Sequence, residues 1–197
     1  MMRIWFPDNS STEISPGTTG LEVASSISRS LAKKAVAIQL DDRLLDLTAP
    51  VPGEGRVRLI TQDDPEALDI LRHSCAHLLA AAVLELYPEA KFGIGPSIED
   101  GFYYDMVIPG FSGEGDLPSL KKEMKRLVKA NLPFERRELS YEEAVELFSA
   151  RGDKFKLELL AEIEDRKETI SVYFLGKFTD LCRGPHVPST KFLGAFE

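Results

Sequence analysis

One long helical pattern after residue 63 places the strongest limit on how this sequence can fold. Apolar residues recur there at near-helical spacing: Leu68, Leu71, Leu78, Leu79, Val83 and Leu86. Asp64 is predicted to be the N-cap of this helix, with Pro65 at its first position, and Pro88 lies just beyond its end. Short elements are predicted both before and after this long helix in the sequence, and this organisation favours two domains of the α+β class.

The first 62 residues predict a small β-grasp (ubiquitin-like) domain. Short strand patterns occupy residues 3–6, 12–15, 35–40, 43–45 and 56–60. Thr19 and Glu22 have the spacing of a capping box, which predicts a helix from there to about Ser30. Two strands, a helix and three further strands are the order typical of a β-grasp, so we predict one domain over residues 1–62.

Residues 63–197 predict a larger α+β domain in which the long helix packs on an antiparallel sheet. Further helices are expected at residues 117–130 and 140–150, and strands at 134–139 and 170–174. Ser140, with Glu143 three residues later, forms a second capping-box pattern at the start of one of these helices.

The charge balance argues against broad, non-specific binding to nucleic acid. The chain carries 24 Lys and Arg against 32 Asp and Glu, a net charge of −8, whereas such binding normally requires a basic surface. One local exception is a basic helix face formed by Lys121, Lys122, Lys125, Arg126 and Lys129. A solvated amphipathic face is the commoner interpretation of such a run, and contact with RNA is the alternative.

The cellular setting is predicted from what the sequence lacks. Its start shows no signal-peptide pattern, and no apolar run approaches the roughly 20 residues of a bilayer span. The two cysteines, Cys75 and Cys182, do not make a disulfide framework. We therefore expect a reducing, cytoplasmic setting.

The chemistry of the chain is concentrated in two short motifs. All three histidines and both cysteines lie in His73-Ser-Cys-Ala-His77 and Cys182-Arg-Gly-Pro-His186. His73 and His77 are four positions apart on the predicted helix and so share one face. Because histidine changes its charge near neutral pH, the gathering of all three in two motifs predicts a functional site.

Spacing alone leaves two chemistries open for His73, His77, Cys182 and His186. They are acceptable zinc ligands, and two histidines four apart on a helix are a common metal-binding arrangement. The alternative is a metal-free hydrolytic pocket in which histidines act as acid and base and Cys182 serves as nucleophile or orients water. Cys75 is expected to be a small core residue.

Four motifs closely resemble the editing domain of bacterial-type threonyl-tRNA synthetases. They are residues 72–79 (Arg-His-Ser-Cys-Ala-His-Leu-Leu), 93–96 (Gly-Ile-Gly-Pro), 101–105 (Gly-Phe-Tyr-Tyr-Asp) and 180–188 (Asp-Leu-Cys-Arg-Gly-Pro-His-Val-Pro). Residues 1–62 are similar to the TGS domain that precedes the editing domain in that family. TGS domains also occur in GTPases, but no phosphate-binding Gly-x-x-x-x-Gly-Lys-Ser/Thr loop is present.

The resemblance implies a proofreading hydrolase. A synthetic site for threonine excludes serine poorly, since one methyl group is worth only about 1–3 kcal/mol. The editing domain is therefore expected to hydrolyse Ser-tRNA(Thr) to serine and tRNA, acting on the tRNA(Thr) acceptor end. The chain is expected to be an N-terminal fragment without synthetic activity. Its expected partners are the catalytic and anticodon-binding domains of the full-length enzyme, and no contact with a membrane is expected.

The resemblance also implies which residues form the site. The positions that match the family's functional residues are His73, His77, Lys156, Asp180, Cys182 and His186. His73 and His186 are expected to handle protons and the terminal ribose hydroxyls, while His77 and Cys182 shape the pocket. The related alanyl-tRNA synthetase editing domain holds zinc at the same four positions. The family resembled here works without metal, so no cofactor is expected and zinc remains the alternative.

By resemblance, four residues are expected to contact substrate. Asp180 would bind the substrate ammonium, and Lys156 would hold water or stabilise the oxyanion. From its own sequence context, Lys156 is predicted to be a routine exposed lysine. Gly95 and Tyr104 are expected to bind substrate, with Tyr104 stacking on or hydrogen-bonding to the terminal adenosine. An aromatic core residue is the alternative interpretation of Tyr104.

Overall fold

The computed structural model describes residues 1–194 and 196, which form two compact units. The first unit contains Met1–Leu71 together with the segment Gly184–Pro188. The second contains Arg72–Arg183 and the described residues from 189 onward. The dividing line thus falls inside the long helix, a few residues after the turn-rich segment in which the sequence places a domain boundary.

The first unit is built on a five-stranded sheet. Its elements are β1 (Met2–Trp5), β2 (Ser11–Ile14), α1 (Gly20–Ile27), α2 (Arg29–Lys34), β3 (Ala35–Leu40), β4 (Arg43–Asp46), β5 (Gly55–Thr61) and the start of α3 (Ala67–Leu86). The strand order is β2-β1-β5-β3-β4, with β1 and β5 parallel and the other neighbours antiparallel. The predicted β-grasp fold is confirmed.

Capping residues define the helices of this unit. The Thr19 side chain accepts from the Glu22 N–H at 3.2 Å, and the Glu22 carboxylate accepts from the Thr19 N–H at 2.8 Å, which confirms the capping box. The predicted single helix is nevertheless interrupted at Ser28. Its backbone is extended and its hydroxyl accepts from the Leu31 N–H at 3.0 Å, so α1 ends there and α2 begins.

The long helix α3 begins later than the sequence predicts. Asp64 does not cap it, because its carboxylate accepts from the backbone N–H of Thr61 at 2.7 Å and from the Thr61 hydroxyl at 2.8 Å. These bonds close a turn after β5, and the helix starts at Ala67. Although α3 is long and apolar enough for a bilayer span, 61% of it is buried in the fold, so the protein core accounts for its apolar residues.

The second unit combines helices with small antiparallel sheets. Its remaining elements are β6 (Lys91–Phe92), β7 (Ser97–Ile98), β8 (Gly101–Phe102), β9 (Met106–Val107), α4 (Leu117–Ala130), β10 (Glu135–Glu138), α5 (Tyr141–Ala150), α6 (Lys154–Asp165), β11 (Ser171–Leu175) and β12 (Phe178–Leu181). Strands β10, β11 and β12 form a three-stranded sheet, while β6 pairs with β9 and β7 with β8. His77 of α3 contacts Phe178 of β12 with ring centroids 5.6 Å apart. The predicted helix on an antiparallel sheet is confirmed.

Helix α6 has no counterpart among the predicted elements. Its N-cap is Asp153, whose side chain accepts from the Lys156 N–H. Leu160 is fully buried, and Leu157 and Ile163 pack against the same core. A capping Asp followed by apolar residues three positions apart was the available signal, but the charged residues between them obscured it.

The core under α5 and α6 gives the first testable prediction. Phe148 is completely buried in it, beside Leu160 and Val172. Phe148→Ala should lower the free energy of unfolding by about 3–5 kcal/mol because it removes a buried ring and leaves a cavity. Urea unfolding followed by circular dichroism measures this. Phe111→Ala, at a 37% exposed position, is the control and should cost about 1 kcal/mol or less. Equal losses would contradict the assignment of this core.

Candidate active site

Five of the predicted site residues lie together in the second unit. Cys182 Sγ is 3.3 Å from His73 Nε2, and the rings of His73 and His77 meet edge to face at 5.2 Å. His77 Nε2 is 3.4 Å from Asp180 Oδ2, and Lys156 Nζ is 2.5 Å from Asp180 Oδ1. The five side chains therefore form one continuous chain of contacts.

Regular secondary structure positions four of these residues. His73 and His77 are one helical turn apart on α3 and so project from the same face. Asp180 lies on β12, Lys156 lies on α6, and Cys182 is the first residue after β12. Backbone bonds hold Cys182 in place: its N–H donates to the Ser171 carbonyl at 3.1 Å, and its carbonyl accepts from the Ser171 hydroxyl at 2.5 Å.

Asp180 is the centre of the site. Its carboxylate is 3% exposed and contacts Lys156 through Oδ1 and His77 through Oδ2. The Tyr104 hydroxyl donates a hydrogen bond to Oδ2 as well. A buried carboxylate requires this kind of compensation, since removing a charge from water costs several kcal/mol when it is unpaired.

Lys156 is buried, so the prediction of an exposed lysine is wrong. Only 2% of it is accessible to solvent, and its ammonium donates to the Gly93 carbonyl and pairs with Asp180. The cause is helix α6, whose first turn, capped by Asp153, directs Lys156 into the core. Burial also raises the pKa of Asp153. An ammonium has three N–H donors, and these two contacts leave one for substrate or water.

Tyr104 and Gly95 lie against each other. A Cβ atom at Gly95 would be 2.3 Å from Tyr104 Cδ2, so only glycine fits beneath this ring. The ring edges contact Phe92 and Phe178 at centroid distances of 6.0 and 6.3 Å. Burial raises the pKa of Tyr104, helped by the negative charge of Asp180, so its hydroxyl remains a donor. Tyr104 thus holds Asp180 in place, and its contact with adenosine stays a prediction.

Both histidines of α3 are neutral near pH 7. Burial lowers the pKa of His73, although the charge of Asp180 acts in the opposite direction. Burial lowers the pKa of His77 to about 3, again against the effect of Asp180. A neutral imidazole can accept a proton, which a general base requires. Cys75 is buried as predicted, and burial raises the pKa of its thiol to about 12, which makes it an unreactive core residue.

The site contains atoms of the type that bind zinc. Candidate ligand atoms of His73, His77 and Cys182 lie within 4.8 Å of one another, and three protein ligands are the usual set of a catalytic zinc site. In the structure, however, these side chains face protein partners, because Cys182 contacts His73 and His77 Nε2 contacts Asp180. The donor types fit zinc, and the contacts equally fit a metal-free site.

His186 belongs to the segment Gly184–Pro188, which clusters with the first unit. It is 1% exposed, and its backbone N–H donates to Asp46 Oδ1 at 2.9 Å. The preceding Gly184–Pro185 peptide bond is cis. The membership of His186 in the site stays a prediction.

The basic face predicted on α4 is exposed. Its five Lys and Arg residues lie opposite the buried Leu120, Met124 and Leu127. Arg126 forms a salt bridge with Glu123, in which Nε is 2.8 and 2.9 Å from the two carboxylate oxygens. The arrangement is that of an amphipathic helix, and it leaves both the solvated and the RNA-contacting interpretations open.

Two segments of the chain match known domain families. Residues 2–61 match the TGS domain. Residues 170–197 match the family described as the second additional domain of threonyl and alanyl tRNA synthetases. The second match includes Asp180, Cys182 and His186 of the predicted site.

The relatives that match over the whole chain are threonine–tRNA ligases. The threonine–tRNA ligase of Geobacillus sp. (strain WCH70) is 50% identical over 197 residues, which are 100% of this chain and 30% of that protein. The threonine–tRNA ligase of Francisella tularensis subsp. novicida (strain U112) is 48% identical over all of this chain and 31% of its own length. The predicted resemblance to threonyl-tRNA synthetases is confirmed. The chain spans about 30% of the length of these relatives.

The buried ion pair gives the second prediction. Asp180→Asn should lower the free energy of unfolding by about 3–5 kcal/mol, because it leaves the Lys156 ammonium buried without a counter-charge. Adding Lys156→Met should recover most of this loss, since no uncompensated charge remains. Urea unfolding of the single and double variants measures both effects. Glu135→Gln, which removes an exposed ion pair with Arg137, is the control and should cost less than about 1 kcal/mol. A double variant no more stable than Asp180→Asn would contradict the explanation.

The pKa of His77 gives a third prediction, on the pH dependence of stability. Its pKa is about 3 in the folded chain and 6.5 without burial. The stability from a neutral His77 is therefore complete above pH 6.5 and is lost as the pH falls from there towards 3. As the pH falls across this window, the free energy of unfolding should decrease less steeply for His77→Gln than for the unchanged chain. The two slopes should differ by up to about 1.4 kcal/mol per pH unit. Urea unfolding at pH 7, 6, 5 and 4 measures the slopes, and parallel curves would contradict the prediction.

Proposed function

We propose that this chain hydrolyses the ester of Ser-tRNA(Thr), releasing serine and free tRNA in a proofreading step of translation. The observation that carries the proposal is the buried Lys156–Asp180 pair next to the Cys182–His73 contact. A fixed cation and a neutral base within one site are what ester hydrolysis by water requires. Similarity to threonine–tRNA ligases supports the choice of substrate.

The proposed reaction uses water as the nucleophile. Water attacks the seryl carbonyl carbon while neutral His73 accepts its proton. The remaining N–H of Lys156 stabilises the negative charge that develops on the carbonyl oxygen. The bond between that carbon and the ribose oxygen then breaks, and protonated His73 returns its proton to the leaving oxygen, which becomes the ribose hydroxyl. Cys182, 3.3 Å from His73 Nε2, orients the imidazole or the water, and by resemblance His186 shares the proton transfer.

The contacts of Asp180 refine its proposed role. Both of its oxygens already have partners: Lys156 at one, and His77 with Tyr104 at the other. A substrate ammonium would have to share these oxygens or displace a partner. We therefore assign Asp180 first to holding Lys156 in place and second to attracting the positive charge of the seryl group.

The proposed reaction needs no metal ion. In support, the Cys182 thiol contacts His73 and His77 Nε2 contacts Asp180, so an acid–base pair is formed by the protein's own groups. Zinc held by His73, His77 and Cys182 would instead supply an activated water. A chelator distinguishes the two, because it removes only metal-dependent hydrolysis.

The proposed partners follow from the length of the relatives. Since the chain spans about 30% of them, ligation of threonine is assigned to parts that this chain does not contain. The proposed partners are the acceptor end of tRNA(Thr) and the catalytic and anticodon-binding domains of a full-length ligase, in the cytoplasm and away from membranes.

The fourth prediction tests hydrolysis directly. Ser-tRNA(Thr) should be deacylated about 10- to 200-fold faster than Thr-tRNA(Thr), the range that one methyl group allows. His73→Ala should lower the rate by about 10²- to 10⁴-fold through loss of the base. The measurement is release of labelled serine by the 197-residue chain, with and without a chelator.

The controls of this assay separate the alternatives. Cys75→Ala changes the buried thiol outside the site and should retain full activity, whereas Cys182→Ala should reduce it. Loss of activity with chelator would replace the metal-free mechanism by the zinc mechanism. Equal loss of seryl and threonyl esters would contradict the proofreading role, and no hydrolysis at high protein concentration would contradict the proposal for this chain.

A further inference from the structure

Asp46 is a buried carboxylate of the first unit that the proposed mechanism does not use. It is the last residue of β4 and is 8% exposed. The structure describes every residue of this unit, and the residues with polar side chains that are buried in it are Asp46 and His186. Burying a carboxylate is costly unless polar contacts compensate for the loss of water. Because apolar side chains suffice for the core of a small domain, the position of Asp46 indicates a further role.

The two buried polar residues of the first unit are bonded to each other. The backbone N–H of His186 donates to Asp46 Oδ1 at 2.9 Å, although 140 positions separate them in the sequence. A buried N–H without an acceptor is costly and therefore rare. The carboxylate thus satisfies the backbone at this histidine and fixes the point from which its imidazole extends.

Regular secondary structure does not hold His186. The segment Gly184–Pro188 belongs to no helix or strand, whereas the other two histidines of the chain lie on α3 and are held by its backbone hydrogen bonds. Two of the five residues of the segment are prolines, which have no backbone N–H. Few backbone donors remain to anchor this part of the chain, so a side-chain acceptor has a large share in holding it.

Asp46 is itself held by the sheet of the first unit. It pairs with Ala37 in the ladder between β3 and β4, and its carbonyl accepts from the Ala49 N–H at 3.1 Å. The next residue, Leu47, is completely buried in the core of this unit. The carboxylate is therefore presented from a rigid strand end, as a group that positions another residue requires.

We propose that Asp46 is a positioning residue for His186, so that the first unit contributes to hydrolysis by fixing the backbone of this histidine. The inference rests on the proposed function, in which His186 shares the proton transfer. Asp46 touches no reacting atom and gives or takes no proton. Its contribution is the hydrogen bond to the His186 N–H, and any side chain with an oxygen acceptor at the same place can supply it.

The first measurement is the hydrolysis of Ser-tRNA(Thr) by variants of the full 197-residue chain. Asp46→Ala leaves the His186 N–H without its acceptor and should lower kcat about 10- to 100-fold, because small misplacements of a reacting group are that costly. KM should stay nearly unchanged, since a proton-transfer group acts in the transition state. Asp46→Asn keeps an oxygen acceptor and should retain most of kcat.

The second measurement follows the hydrogen bond without reference to hydrolysis. Exchange of the His186 amide proton with solvent deuterium, detected by NMR, reports local opening of the segment. Exchange should be faster in Asp46→Ala than in the unchanged chain, and close to that of the unchanged chain in Asp46→Asn.

A double variant tests whether Asp46 acts through His186. His186→Ala removes the imidazole and should lower kcat by itself. Adding Asp46→Ala to it should lower kcat no further, because the backbone then positions no reacting group. Independent effects would instead multiply the two losses.

Two control variants separate positioning from charge and from stability. Asp42→Ala removes an exposed carboxylate of the turn that follows β3 and should change neither kcat nor the exchange of the His186 amide. Ile38→Val weakens the core of the first unit at a completely buried position and should also leave both unchanged. Circular dichroism checks that each variant is folded.

The outcomes separate this inference from the function on which it rests. Hydrolysis with a kcat that does not depend on Asp46 would overturn the positioning role and leave the hydrolase proposal standing. Multiplying losses in the double variant, equal losses in Asp46→Ala and Asp46→Asn, or an unchanged exchange of the His186 amide in Asp46→Ala would do the same. No hydrolysis by the unchanged chain would overturn the proposed function and this inference together.

Discussion

The buried ion pair between Lys156 and Asp180 is the interaction on which the site of the second unit depends. Both side chains are almost completely removed from solvent, and two such charges are tolerable only when further polar contacts compensate for the loss of water. The surrounding structure supplies several of these contacts. The Gly93 carbonyl accepts from the ammonium, and the Tyr104 hydroxyl donates to the carboxylate. Elements from four regions of the sequence are thereby held in one arrangement.

The ion pair also explains the electrostatic character of the site. It supplies one fixed cation, while burial keeps the imidazoles of His73 and His77 neutral. The effect of burial on the pKa of His77 exceeds that of the nearby Asp180 carboxylate, and electrostatic interactions with His73 and Lys156 lower this pKa further. A neutral base next to a fixed cation is a suitable environment for activating water towards an ester.

Sequence patterns predicted the local parts of this structure and missed the parts set by tertiary contacts. The capping boxes at Thr19 and Ser140, strand β3 and the shared face of the two histidines follow from local rules, and all are observed. The burial of Lys156 could not be predicted in this way. It depends on α6 and on a carboxylate 24 positions later in the chain, and the charged residues of α6 concealed the helix. Asp64 likewise fits the sequence pattern of a helix N-cap, but in the structure its carboxylate accepts a hydrogen bond from the Thr61 N–H instead.

Tyr104 supports the buried carboxylate, a role that its motif alone does not predict. By resemblance, this aromatic side chain is expected to contact the terminal adenosine of a tRNA, and that expectation stays a prediction. In the structure its ring lies on Gly95, where any Cβ would collide with it, and its hydroxyl bonds to Asp180. Those contacts make Tyr104 and Gly95 a supporting pair for the buried carboxylate.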